Sequence, residues 1–188
     1  MPSSQLLLFH YLYQNKVELR AGETADMFCI SAMQISRAIR QLTALSLVFA
    51  RKDGVRTIIY SNERCRDLFE RARPYFLNPV RRRIYAEQAE LPTGLPLSGY
   101  SALSELTMLG SPTTETYAFF GKSGEINGVD ALVDNTTQTE VEIWRYDPMA
   151  LSKQPGVVDA LSLVASLPPI DDERVEQAVD GLLSNVWR

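Results

Sequence analysis

Apolar residues crowd the stretch QLLLFHYLYQN, where Leu6, Leu7, Leu8, Phe9, Tyr11 and Leu12 leave almost no polar break. That density predicts a short helix buried nearly all round, capped by Ser3 or Ser4 and ending near Asn15. A second short helix is expected from about Ala21 to Phe28, followed by a turn through Cys29 and Ile30. The pattern then changes character in ISAMQISRAIRQLTALSLV, residues 30–48. Ser31 is placed to cap a helix, and a 100° step per residue gathers Ile35, Ile39, Leu42 and Ser46 on one face. Met33, Ser36, Arg37 and Arg40 point the opposite way, with Gln34 and Gln41 at the edges.

Downstream, LVFARKDGVRTIIYS contains two runs rich in Val, Ile, Phe and Thr on either side of Asp53-Gly54, a strong hairpin signal. Arg51, Lys52 and Arg56 surround its tip. NERCRDLFERARPYFL reads as a helix that cannot pass undisturbed through Pro74. NPVRRRIYAEQAELPTGLP reads as a basic link whose Pro and Gly residues set a domain boundary near residue 90. Beyond it, SGYSALSELTML is helical in pattern, with Ala102, Leu103, Leu106 and Leu109 on one side. TETYAFFG and TEVEIWRYD are strand-like. Two more helices are expected: GVVDALSLVASL, stopped by Pro168-Pro169, and DDERVEQAVDGLLSNVW, with Val175, Val179, Leu182 and Val186 as its buried stripe. The acids at the start of the last helix suit the positive end of its dipole. The fold class expected is α+β: an N-terminal domain over residues 1–90 and a mixed α/β domain over residues 91–188.

Composition refines this picture in one respect. Among 188 residues, 45% are hydrophobic and 22% charged, ordinary values for a globular chain. The net charge of −4 conceals a division: residues 1–90 hold 14 Lys+Arg against 9 Asp+Glu, whereas residues 91–188 hold 5 against 14. A basic half joined to an acidic one points to a nucleic-acid-binding module attached to something else. Apolar runs fall well short of the roughly 20 residues needed to span a bilayer, so no membrane association is expected. The opening MPSSQLLLFHYLYQ lacks a basic n-region and a cleavage site, so no signal peptide is expected. Cys29 and Cys65 lie far apart without ligand-spaced neighbours, as reduced thiols in the cytoplasm would.

Helix, short helix, turn, helix and basic-tipped hairpin follow one another in the order of a winged helix-turn-helix. Residues 30–48 resemble the vSxxxvSRxlxxLexxGLv pattern of MarR-like winged-helix regulators, and the likeness covers roughly residues 3–77. One departure is Ser46, where those proteins carry a glycine; Ser46 must tolerate a left-handed backbone, or the turn differs. The resemblance implies binding to double-stranded DNA, with the N-terminal part of the helix near base edges in the major groove. Gln34 suits adenine, Arg37 guanine or phosphate, and Ser36 either. Ser31, Met33, Arg40 and Gln41 complete the expected helix surface, and Arg51, Lys52 and Arg56 reach the adjacent backbone. The competing expectation is a winged-helix adaptor that touches protein and not DNA.

Enzymatic motifs are incomplete. GYSAL resembles a nucleophile elbow, but Leu103 stands where G-x-S-x-G needs glycine. The sole histidine, His10, lies in the first helix and reads as a packing residue, so Ser101 lacks a base. Gly121-Lys122-Ser123 resembles a phosphate loop with Thr116 in place of its first glycine. Asp130, Asp134 and Glu140 fit no metal-ligand spacing. The chain is therefore expected to be no enzyme and to need no cofactor or metal.

The segment Ser98-Gly99-Tyr100-Ser101-Ala102-Leu103, on a short helix followed by strands and preceded by a winged helix, is similar to AbiEi-type antitoxins of type IV toxin–antitoxin systems. Tyr100 departs from their frequent acidic residue. That resemblance implies repression of the protein's own operon and a cognate toxin partner with a nucleotidyltransferase fold, with a homodimer left open.

Overall fold

The computed structural model of the chain describes residues 1–15, 18–122 and 124–188. It is α+β, with seven α-helices and two three-stranded sheets among the described residues. The chain divides into two compact units, Met1–Leu77 with Trp187 and Asn78–Val186 with Arg188.

In the first unit, α1 (Pro2–Gln14) is buried continuously from Ser4 to Leu12, as its all-round apolar pattern requires. Neither Ser3 nor Ser4 caps it. Pro2 starts the helix, where its missing N–H costs nothing, and Ser4 is buried. Asn15 ends it in the left-handed conformation, a geometry asparagine tolerates. Phe9 meets Phe76 edge-on at 5.0 Å and Phe69 at 6.4 Å between centroids, which closes an aromatic core. The Gln5 carboxamide accepts from the Leu77 N–H and donates to the Leu77 carbonyl, so the end of the unit is tied to its first helix. His10 packs edge-on to Phe28 with Nδ1 2.9 Å from Thr24 Oγ1.

Strand β1 (Glu18–Arg20) leads into α2 (Ala21–Met27), and α3 (Ala32–Ala44) follows. The hairpin strands are β2 (Phe49–Asp53) and β3 (Arg56–Tyr60), and the antiparallel sheet runs β1-β3-β2. Asp53 is the last strand residue, paired with Arg56, so the turn is Gly54-Val55, one residue later than the Asp53-Gly54 signal suggests. Gly54, at φ 59, takes the first central position of the two-residue turn. Helix α4 (Cys65–Ala72) gives way to a 3₁₀ turn over Arg73–Tyr75, where Pro74 forbids continuation.

The end of α3 answers the question Ser46 poses. Ser46 adopts φ 55; its N–H bonds the Thr43 carbonyl at 2.9 Å and the Leu47 N–H bonds the Leu42 carbonyl at 3.0 Å. These two bonds make a Schellman motif, and Leu42 and Leu47 are buried, as that motif favours. Arg71 donates to the Ser46 carbonyl, a bond that any residue at position 46 retains. Ser46→Gly is therefore expected to raise stability by about 0.5–1 kcal/mol, because glycine enters the left-handed region without the Cβ penalty. A thermal melt unchanged or lowered by the substitution contradicts this account.

The boundary between units falls at Leu77/Asn78 and not near residue 90. Residues expected as a linker form β4 (Val80–Glu87), which pairs antiparallel with β6 (Gln138–Trp144) from Val80↔Trp144 to Glu87↔Gln138. With that correction residues 1–77 hold 11 Lys+Arg against 7 Asp+Glu, and residues 78–188 hold 8 against 16, so the charge division persists. Strand β5 (Thr116–Phe119) pairs parallel with β6, giving the order β4-β6-β5. Ile84, Ala86 and Val141 share one face of this sheet with Phe119, Ile126 and Ile143 packed on them. Because side chains alternate, Arg83, Glu140, Glu142 and Trp144 take the other face.

Helix α5 (Gly99–Leu106) starts where Gly99 has φ 52 and a Cβ would come within 3.3 Å of Thr116, so the position requires glycine. Leu109 lies beyond this helix, and Leu106 is half-buried. Asp159 caps α6 (Ala160–Ser166) through the Ser162 N–H, leaving Val157 and Val158 in the preceding loop. Helix α7 (Glu173–Val186) buries Val175, Val179, Leu182 and Leu183; Leu183, not Val186, completes the stripe. Asp172 accepts from the Arg174 guanidinium at 3.1 Å and from the Arg174 N–H at 2.8 Å at the start of α7, and those bonds hold its carboxyl below the usual range. No helix among the described residues is long and apolar enough to cross a membrane.

Candidate nucleic-acid interface

The surface built around α3 begins with the turn that delivers it. Cys29 has φ 52 and the Ile30 N–H bonds the Ala25 carbonyl at 2.9 Å, so the chain leaves α2 by a tight left-handed turn, a place glycine often fills. Ser31 then caps α3 as expected. Its Oγ accepts the Gln34 N–H, while Gln34 Oε1 accepts from the Ser31 N–H at 3.0 Å and from Ser31 Oγ at 2.9 Å. This is a complete capping box.

Ile35, Ala38 and Leu42 form the buried stripe of α3, while Ile39 is only half-buried. Ala38, at 0% exposure, takes the inward place that the sequence pattern assigns to Ile39. Met33, Ser36, Arg37 and Arg40 are exposed together on the outward side, as their spacing predicts. The two glutamines stand apart from that group. Gln34 is folded back onto Ser31, and half-buried Gln41 accepts through Oε1 from Ser4 Oγ at 2.7 Å and the Met1 nitrogen at 3.2 Å. Burial lowers the pKa of the Met1 amino group.

Across from α3, the hairpin presents Arg51, Lys52 and Arg56. Ile35, Ile39 and Ala50 floor an open groove of about 740 Å³ between α2, α3 and the hairpin, with Arg40, Lys52 and Arg56 among its lining residues. Glu23 and Asp26 line the α2 side. Arg51 donates to both carboxylate oxygens of Glu18 at 2.9 and 3.0 Å, an ion pair that raises its pKa further. Lys52 donates to Thr57 Oγ1 at 2.9 Å. Arg37, Arg40 and Arg56 make no ion pair among the described residues. Val55 stands fully exposed at the hairpin tip, a position the sequence pattern did not single out.

The fragments suggestive of catalysis are occupied structurally. Ser101 is buried and its Oγ accepts the Thr116 N–H at 2.9 Å. Asp130 pairs with Arg82, Asp134 with Thr136, and Glu140 with Arg83. No group of three His, Cys, Asp or Glu side chains able to hold a metal occurs among the described residues. Gly121 and Lys122 are exposed, and Ser123 lies outside the described residues. Cys29 and Cys65 are free thiols, the second with its pKa raised by burial. No protein-family model, curated protein or solved structure matches the chain.

Proposed function

We propose that the first unit is a winged helix-turn-helix that binds double-stranded DNA, and that the chain is a transcriptional regulator with an acidic partner- or effector-binding second unit. The observation that carries this reading is a groove lined by two arginines without ion pairs among the described residues, Arg40 on α3 and Arg56 on the hairpin across from it, with Arg37, likewise without an ion pair, exposed on the same helix. Unpaired guanidinium groups are what phosphates and guanine edges recruit. The order α1-β1-α2-α3-β2-β3, with the hairpin beside α3, supports the same reading. The strongly acidic second unit suits a basic protein partner, since complementary charge steers association and like charge disfavours DNA. An antitoxin-like autorepressor acting on a nucleotidyltransferase-like toxin fits both halves.

Arg37→Ala is expected to cost about 1–3 kcal/mol on a selected duplex and to relax preference at one position. Arg56→Ala is expected to weaken all duplexes about equally and to reduce the salt slope by about one. Arg51→Ala changes binding less, because Glu18 already engages that charge. Binding titrations at several salt concentrations, with thermal melts as controls, measure all three. If Arg37→Ala melts normally and binds duplex as the parent does, the outward face of α3 does not read DNA and a protein-binding adaptor is the better description.

A further inference from the structure

We infer that Met33 supplies the A·T-reading contact of the α3 surface by packing against the 5-methyl group of a thymine in the major groove. The inference rests on the DNA-binding function proposed above and specifies what that surface reads. Met33 is 63% exposed although its side chain is apolar, and it is the second residue of α3, within the turn that approaches base edges in a helix-turn-helix. Among the exposed residues of α3, which also include Ala32, Gln34, Ser36, Arg37, Arg40, Thr43 and Ala44, it is the one long apolar side chain.

The usual readers of an A·T pair are withdrawn. A glutamine recognises adenine by using its carboxamide oxygen and nitrogen together. Gln34 spends its oxygen on the Ser31 N–H and hydroxyl, and Gln41 spends its own on Ser4 and the Met1 nitrogen. Arg37 and Arg40 are suited to guanine or phosphate, not to thymine. Of the groups on this face, the Met33 thioether chain matches what distinguishes thymine in the major groove, its methyl group. An unbranched, polarisable chain adapts to such a contact at little steric cost. Arg37 follows Met33 by four residues, about 6 Å along the helix axis, which corresponds to about two base-pair steps of 3.4 Å. The preferred site should therefore hold a thymine and a guanine within about two steps of each other.

The test selects duplexes from a randomised library with the full chain, then replaces each thymine of the selected site singly by deoxyuracil, which pairs identically but lacks the methyl group. One replacement should weaken the parent about fourfold, the effect of one buried methyl-sized group. Met33→Ala should bind the thymine duplex correspondingly less and be indifferent to that replacement, while Met33→Leu should retain the discrimination. Met33 is exposed, so all variants should melt as the parent does. A parent that binds a selected site yet tells thymine from deoxyuracil at no position overturns the inference and leaves DNA binding standing. Discrimination that survives in Met33→Ala also overturns it. If no duplex is enriched at all, DNA binding itself fails, and the thymine contact with it.

Discussion

Arg83→Ala is expected to destabilise the second unit by about 1–3 kcal/mol, below the range for a fully buried ion pair because the Arg83 side chain is 40% exposed while its partner Glu142 is buried. Glu142 is 1% exposed, in the middle of β6. Its Oε1 accepts from Arg83 Nη2 at 2.8 Å and Nε at 3.1 Å, and its Oε2 accepts from Ser98 Oγ and Trp144 Nε1. Glu140 Oε1 stands 3.1 Å from the same Arg83 Nε. One guanidinium therefore holds two carboxylates on one face of the sheet. Burial and the neighbouring Glu142 charge already push the Glu140 carboxyl above its ordinary range, against the opposing pull of Arg83 and Thr116.

A carboxyl whose folded pKa is raised favours the fold when protonated, so its contribution is complete below the unfolded value and is lost as pH rises through the folded one. Without Arg83 the Glu140 carboxyl should move further up. The variant's melting temperature should then recover between neutral pH and about pH 5 more steeply than the parent's. Adding Glu142→Gln to Arg83→Ala should restore part of the loss at neutral pH, because the buried charge disappears while its acceptor oxygen stays for Ser98. A variant with Arg83→Ala alone that melts like the parent, without added pH dependence, shows that the cluster is not coupled in this way.

The elements legible in the sequence were those whose information is local. The 3.6-residue spacing of α3, its Ser31 cap, the hairpin glycine and the stop at Pro74 each act through their own few residues, and each appears within a residue or two of its expected place. Two strands escaped for physical reasons. Strand β1 is only Glu18–Arg20 and exists because β3 offers it an edge, a tertiary cause with no periodic trace. Strand β4 carries Arg81, Arg82 and Arg83, and charge obscured the alternation of Ile84 and Ala86 that faces the core. Missing β4 also misplaced the boundary, since Pro92 and Gly94 mark a loop within the second unit and not a joint between units. The outward residues of α3 were readable because helix geometry alone sorts them. The withdrawal of Gln41 was not, because Ser4 lies 37 positions away and is brought to it only by packing. The engagement of Arg51 by Glu18 was hidden for the same reason, at a separation of 33.

Leu42→Ala is expected to cost about 2–5 kcal/mol, and Ile39→Ala clearly less, with the two changes parting company on DNA. Leu42 is 3% exposed and supplies the inner half of the Schellman contact with Leu47, so truncation leaves a cavity and loosens the helix end together. Ile39 belongs to the same helix and has the same number of carbons, but it is half-buried and lines the open groove. Its truncation removes apolar surface already partly wet, and solvent can fill the space, so the cavity contribution is largely absent. Sequence periodicity alone would rank the two equally. On duplex binding the order should reverse. At temperatures where both variants remain folded, Leu42→Ala leaves the outward side chains in place, whereas Ile39→Ala removes floor from the groove beneath Arg40 and the hairpin cations. Paired denaturant melts and duplex titrations measure both orders. Equal stability losses would mean that Ile39 is packed as a core residue. A larger binding loss for Leu42→Ala than for Ile39→Ala, with both proteins folded, would mean that DNA contacts do not run along the groove between α3 and the hairpin.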